Sequence, residues 1–120
     1  MKARLMLLML LVGLMIPAVR ARAAEAGNSP QRIEILARRF AYSPGEITLK
    51  KGQTVVLVLK SVDVAHGLRF RDFGINIQAK AGGKVEVEFT PDKTGDFIGH
   101  CSVFCGSGHG SMEITLHVVA

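Results

Sequence analysis

The sequence predicts an all-β sandwich or barrel of seven or eight short strands. Three observations carry that prediction. Beyond residue 31 apolar residues recur with a period of two, breaks containing glycine or proline fall between these runs, and no stretch there shows a 3.6-residue apolar repeat. A period of two places alternate side chains on opposite faces of an extended chain, so each run can bury one face and wet the other.

The runs follow in order. Ile33 and Ile35 alternate with Arg32, Glu34 and Leu36, and Phe40 and Tyr42 extend the run to the break at Ser43-Pro44-Gly45. Ile47 and Leu49 alternate with Glu46, Thr48 and Lys50 before Lys51-Gly52 turns the chain. From Val55 to Leu59 every residue is apolar, which predicts a strand buried on both faces. His66, Leu68 and Phe70 alternate with Arg69 and Arg71, and Asp72 to Gly74 reads as a turn. Ile75, Ile77 and Ala79 come next, and beyond Gly82-Gly83 the residues Val85, Val87 and Phe89 alternate with Lys84, Glu86 and Glu88. Thr90 to Gly95 is rich in turn residues. Phe97, Gly99 and Cys101 then share one face, and Met112, Ile114, Leu116 and Val118 share the inward face of the last run. His100 and His117 fall out of phase with these inward faces and are expected to face solvent.

Residues 1–23 read as a leader. Lys2 and Arg4 precede an apolar run from Leu5 to Ile16, and Ala21-Arg22-Ala23 offers an A-x-A cleavage site, the pattern of a secretory signal peptide. That run is shorter than the roughly 20 residues of a spanning helix, so cleavage is the reading and a retained anchor the alternative. The expected organisation is a signal peptide over 1–23, a small and polar tail over 24–31 and one domain over 32–120. Removal of Lys2, Arg4, Arg20 and Arg22 takes the 15 basic residues to 11 against 10 acidic ones, so the basic balance of the whole chain belongs to its leader. No basic stripe then remains to hold nucleic acid. The expected address is exported: the periplasm, or the outer face of the cytoplasmic membrane, with membrane contact only where the N-terminal segment is retained.

Both cysteines lie in one short stretch, Cys101-Ser-Val-Phe-Cys105-Gly-Ser-Gly-His109-Gly-Ser-Met112. Thiolate, imidazole and thioether are donors suited to copper; magnesium and calcium call for oxygen donors. Taken alone, Met112 reads as core filler, His66 as a buried histidine in phase with Leu68 and Phe70, and the cysteines as a disulfide suited to an oxidising compartment. The conjunction alters that reading, because a disulfide leaves the histidine, the methionine and the glycines Gly106, Gly108 and Gly110 without a purpose. Two thiolates can each bridge two copper ions, with one histidine per ion. Met112 then serves as a weak axial ligand, and the backbone carbonyl of Val103, midway between the cysteines, as the opposite one. Asp63 is placed either to orient His66 or to make a simple turn. Phe104 and Leu68 are candidates for an apolar docking patch near His109.

The pattern Cys101-x-x-x-Cys105-Gly-x-x-His109-x-x-Met112, preceded by Asp63-Val64-Ala65-His66, resembles the binuclear copper (CuA) domain of cytochrome c oxidase subunit II, a cupredoxin fold also found in nitrous-oxide reductase. Phe40-Ala-Tyr-Ser-Pro44, Ile47 to Gly52 and Gly95-Asp-Phe97 extend the likeness over nearly the whole domain. The resemblance implies a cupredoxin-like Greek-key topology and a centre of two copper ions. His66, Cys101, Cys105, His109 and Met112 are the implied side-chain ligands and Val103 the implied carbonyl ligand. It further implies electron transfer, from cytochrome c or another small redox protein to a terminal oxidase or reductase. Many members of the family carry Glu where this chain has Val103, and that side chain helps to bind magnesium beside the catalytic subunit; no such role carries over here. The sequence has no Trp, so the aromatic electron-entry patch of many oxidases is absent in that form. The pair of membrane helices usual in subunit II is not seen either, which reads as a detached or minimally anchored domain. Competing readings are a mononuclear cupredoxin, a copper delivery or storage protein, and a disulfide-stapled binding module.

Overall fold

In a computed structural model, residues 29–120 are described; the expected leader and tail residues 24–28 lie outside the described residues. Among the described residues nine strands fold into two sheets: β1 (Gln31–Arg38), β2 (Ala41–Ser43), β3 (Glu46–Lys50), β4 (Val55–Ser61), β5 (His66–Phe70), β6 (Ile75–Ala79), β7 (Lys84–Phe89), β8 (Gly95–His100) and β9 (Glu113–Val119). One sheet has the order β2-β1-β4-β7 and the other β3-β9-β8-β5-β6. The chain changes sheet at the Pro44-Gly45 corner, between β3 and β4, between β4 and β5, between β6 and β7, and again between β7 and β8. Two pairings, β1 with β4 and β3 with β9, are parallel, and the others are antiparallel.

Burial follows the alternation. Ile35 and Ala37 of β1, Ile47 and Leu49 of β3, and Ile114, Leu116 and Val118 of β9 are buried between the sheets together with Leu57, Leu59, Leu68 and Phe70. Each such aliphatic side chain contributes about 1.5–3 kcal/mol on removal from water. β4 is buried on both faces, as its unbroken apolar run predicts. Its neighbours explain how. Arg32 on β1 reaches across β4 to Glu86 on β7, with donor–acceptor distances of 2.5 and 3.4 Å, and the register sets this pair over Val56 and Val58. The exposed ion pair itself is worth little; its aliphatic stems shield the outer side of the central strand.

Two expectations need correction. The described residues form nine strands rather than seven or eight, because the run through Tyr42 is two strands: the chain reverses at Arg39-Phe40 and β2 pairs antiparallel with β1. Leu68 belongs to no surface patch, since it is fully buried on the inner face of β5, whereas Phe104 is 78% exposed. The expected turn at Asp72 to Gly74 is present, as a single 3-10 turn, Arg71–Phe73, closed by Gly74 at φ 65°. His100 lies on the exposed outer face as expected, while His117 is half-covered there between Asp96 and Glu46.

Candidate metal centre

The site forms where the loop after β8 folds back over the start of β5. Cys101 directly follows β8, His66 opens β5, and Met112 directly precedes β9, so three of the candidate residues are anchored at strand ends in the sheet β3-β9-β8-β5-β6. Cys105 and His109 come from the intervening loop, which ends in a 3-10 turn, His109–Ser111. The backbone N–H of Cys101 donates to the Met112 carbonyl at 3.4 Å and closes the base of that loop.

All five side chains singled out in the sequence converge. The two sulfurs are 3.9 Å apart and both cysteines are free thiols. A disulfide bond would measure about 2.0 Å. Their separation lies inside the roughly 4.6 Å that two sulfurs can span when each is about 2.3 Å from a shared ion. Nδ1 of His66 is 4.0 Å from the Cys101 sulfur, and Nδ1 of His109 is 3.7 Å from the Cys105 sulfur. The Met112 sulfur is 3.9 Å from that of Cys105, and the Cys101 thiol donates to the Val103 carbonyl at 3.1 Å. His66, Cys101, Cys105 and Met112 are buried, and His109 is the half-exposed member. Ligand atoms of His66, Cys101 and Cys105 all lie within 4.8 Å of one another, a grouping able to hold a metal ion. Sulfur and imidazole donors in a buried pocket fit a soft or borderline metal such as copper.

The surroundings fix these donors. Asp63 accepts hydrogen bonds from His66 Nε2 at 2.5 Å, from the Val64 N–H at 2.6 Å and, through its other oxygen, from the Arg39 N–H at 2.8 Å. Both roles weighed for Asp63 are therefore filled at once. Partial desolvation opposes ionisation of this carboxyl, but the Arg39 N–H, the His66 imidazole and the Val64 N–H outweigh it and hold the pKa at about 2. The Gly67 N–H points at the Cys101 sulfur, 3.4 Å away. Tyr42, buried on β2, donates its hydroxyl to the Gly67 carbonyl at 2.5 Å; burial, then the adjacent cysteines, push its ionisation upward. Burial and the neighbouring Cys101 likewise raise the Cys105 thiol, with the nearby Arg39 charge acting in the opposite sense. A metal held here would therefore have to displace thiol protons.

Three contributors escaped the sequence reading. Phe40, taken there only as a strand residue, lies under the loop: a Cβ on Gly106 would come within 2.8 Å of its ring and one on Gly108 within 2.5 Å. Gly106 also holds φ 141°, a conformation open to glycine alone. Arg39 donates from Nε to the Cys105 carbonyl at 3.0 Å, and Tyr42 supports the strand that carries His66. Each contact joins residues far apart in the chain, and only the Phe-Ala-Tyr motif hinted at two of the three.

Comparison with known proteins adds to this geometry. The family profile described as the periplasmic domain of cytochrome c oxidase subunit II matches residues 32–119. Cytochrome c oxidase subunit 2 of Thermus thermophilus is 30% identical over 94 residues, covering 78% of this chain and 70% of that relative. The nitrous-oxide reductase of Cupriavidus necator is 30% identical over 92 residues, 73% of this chain and 14% of that protein. The chain spans smaller shares of other subunit 2 sequences, 56% of a second from Thermus thermophilus and 33% of one from Cereibacter sphaeroides. Among solved structures, the periplasmic domain of subunit II of cytochrome oxidase from Bradyrhizobium japonicum superimposes with a TM-score of 0.68 at 23% identity, covering 74% of this chain and 83% of that one.

Proposed function

The chain belongs to the family of cytochrome c oxidase subunit II periplasmic domains, and from that membership we propose that it is an electron-transfer domain built to hold two copper ions in a CuA centre. His66, Cys101, Cys105, His109 and Met112 would hold them, with the Val103 carbonyl as a further donor. The observation that carries this reading is the pair of free thiols 3.9 Å apart, flanked by an imidazole nitrogen on each side. One cysteine would suffice for a mononuclear centre; two buried sulfurs in mutual contact favour a shared one.

Copper held by the Cys101 and Cys105 thiolates and by the His66 and His109 imidazoles would supply one-electron chemistry. The residues of this chain do the rest. Asp63 sets the ring of His66, burial of four of the five donors excludes water, and strand ends anchor three of them before metal arrives. His109, half-exposed and packed at 5.6 Å between ring centroids against the exposed Phe104, is where an electron would enter or leave. We assign the donor as cytochrome c or another small redox protein and the acceptor as a terminal oxidase or reductase. Work outside the cytoplasm follows from the leader pattern of residues 1–23; the exported chain should then begin at Ala24 by intact mass.

Copper content and electron spin resonance test the proposal. Two coppers per chain and hyperfine splitting from two copper nuclei are expected in the oxidised form, and Cys105→Ser should abolish the two-nucleus pattern. One copper per chain, with the electron on a single nucleus, would overturn the binuclear reading in favour of a mononuclear cupredoxin.

A further inference from the structure

Arg39 occupies the turn between β1 and β2 and meets the site from two sides. Its backbone N–H donates at 2.8 Å to the Asp63 carboxylate, whose other oxygen holds His66 Nε2. Its guanidinium Nε donates at 3.0 Å to the carbonyl of Cys105. The side chain is also one wall of a cavity of about 330 Å³ whose lining includes Val64, Ala65, Phe104, Cys105 and Gly106, directly over the loop. The next residue, Phe40, supports that loop beneath Gly106 and Gly108. A loop bearing three glycines between Cys105 and Ser111 would otherwise be the least constrained part of the site, and a charge-assisted bond to one of its carbonyls removes much of that freedom.

We propose that Arg39 is a positioning residue for the metal centre, its main chain fixing the carboxylate that orients His66 and its side chain fixing the Cys105 end of the loop. The two arms are separable, because substitution removes the guanidinium and leaves the N–H. The side chain therefore governs Cys105 and its neighbours alone. It also sets a positive charge beside the Cys105 sulfur, which disfavours the oxidised, more positive metal pair and so raises the midpoint potential.

The inference rests on the copper reading for its potential measurement but not for its measurement of loop order. Amide hydrogen exchange is followed in the copper-free chain, and the potential in the copper-loaded one, for Arg39→Ala, Arg39→Lys and Arg38→Gln. Arg39→Ala should speed exchange over residues 103–109 by about ten-fold or more, the loss expected for one hydrogen bond from a charged donor, while residues 63–67 exchange at the parent rate. It should also lower the potential. Arg39→Lys should return the potential without returning the slow exchange, since an ammonium keeps the charge but loses the planar donor. Arg38→Gln, a neighbouring exposed arginine, should change neither. Parent exchange rates in Arg39→Ala, or an unmoved potential, would overturn the proposal. A parent chain that binds no copper pair defeats the copper reading instead, and leaves the exchange result to stand on its own.

Discussion

Asp63 decides which nitrogen of His66 faces the cysteines. A carboxylate can only accept, so Nε2 carries the proton, 2.5 Å from Oδ1, and the unprotonated Nδ1 is left towards Cys101. Asp63→Asn keeps the size of the side chain but replaces a charged acceptor by a neutral one that can turn either end to the ring. Copper affinity should fall about 10- to 100-fold, the usual cost of losing such an orienting partner, as read by competition with a chelator. The same substitution tests the pKa. A carboxyl held at about 2 in the fold and near 3.9 when unfolded stabilises the native state above the unfolded value, and that contribution fades as pH falls towards 2. The urea midpoint of the copper-free parent should therefore decline more steeply between pH 4 and pH 2 than that of Asp63→Asn. Parallel declines would show that the carboxylate is not stabilised by folding.

At the scale of elements, the ligand loop is shaped by what lies under it. Gly106 and Gly108 both rest on the Phe40 ring, yet they differ in backbone: Gly106 has φ 141° and Gly108 φ −92°. Alanine at Gly108 meets only a steric obstacle, so Gly108→Ala should cost about 1–3 kcal/mol of stability and Phe40→Leu in the same chain should recover part of it. Alanine at Gly106 meets the obstacle and a forbidden backbone together, so Phe40→Leu should recover much less. Equal rescue at both positions in denaturant titrations would refute the distinction. This loop also marks the limit of what the sequence discloses. Its candidate donors are legible because Cys101, Cys105, His109 and Met112 share one short stretch, and the strands are legible because Ile114, Leu116 and Val118 or Val85, Val87 and Phe89 announce a period of two. Arg39 and Phe40 are not legible: they break β1 from β2 without glycine or proline, and their partners in the loop lie more than sixty positions away. The burial of Leu68 against the exposure of Phe104 was equally hidden, since each depends on which element covers it.

For the whole molecule, the fold and the centre are largely independent. The core between the sheets runs from Ile35 and Leu57 through Leu68 and Phe70 to Ile114 and Leu116, and only Cys101, Cys105 and Met112 among its members are candidate ligands. Without metal those three still serve as buried apolar groups, because free thiols and a thioether pack as small hydrophobes. The copper-free chain should accordingly be folded, with the far-ultraviolet signature of β-structure and a cooperative thermal transition. Metal bound only by the native state then adds stability by mass action, about 2.7 kcal/mol at a free concentration one hundred times Kd. In a domain of this size each kcal/mol moves Tm by roughly 4–8 °C, so copper loading should raise Tm by about 10 °C or more. Cys105→Ser should lose most of that rise while leaving the copper-free Tm near the parent value. A copper-free chain that shows no cooperative transition would mean that metal organises the fold, and the view of a centre preformed by strand ends and by Phe40 would have to be abandoned.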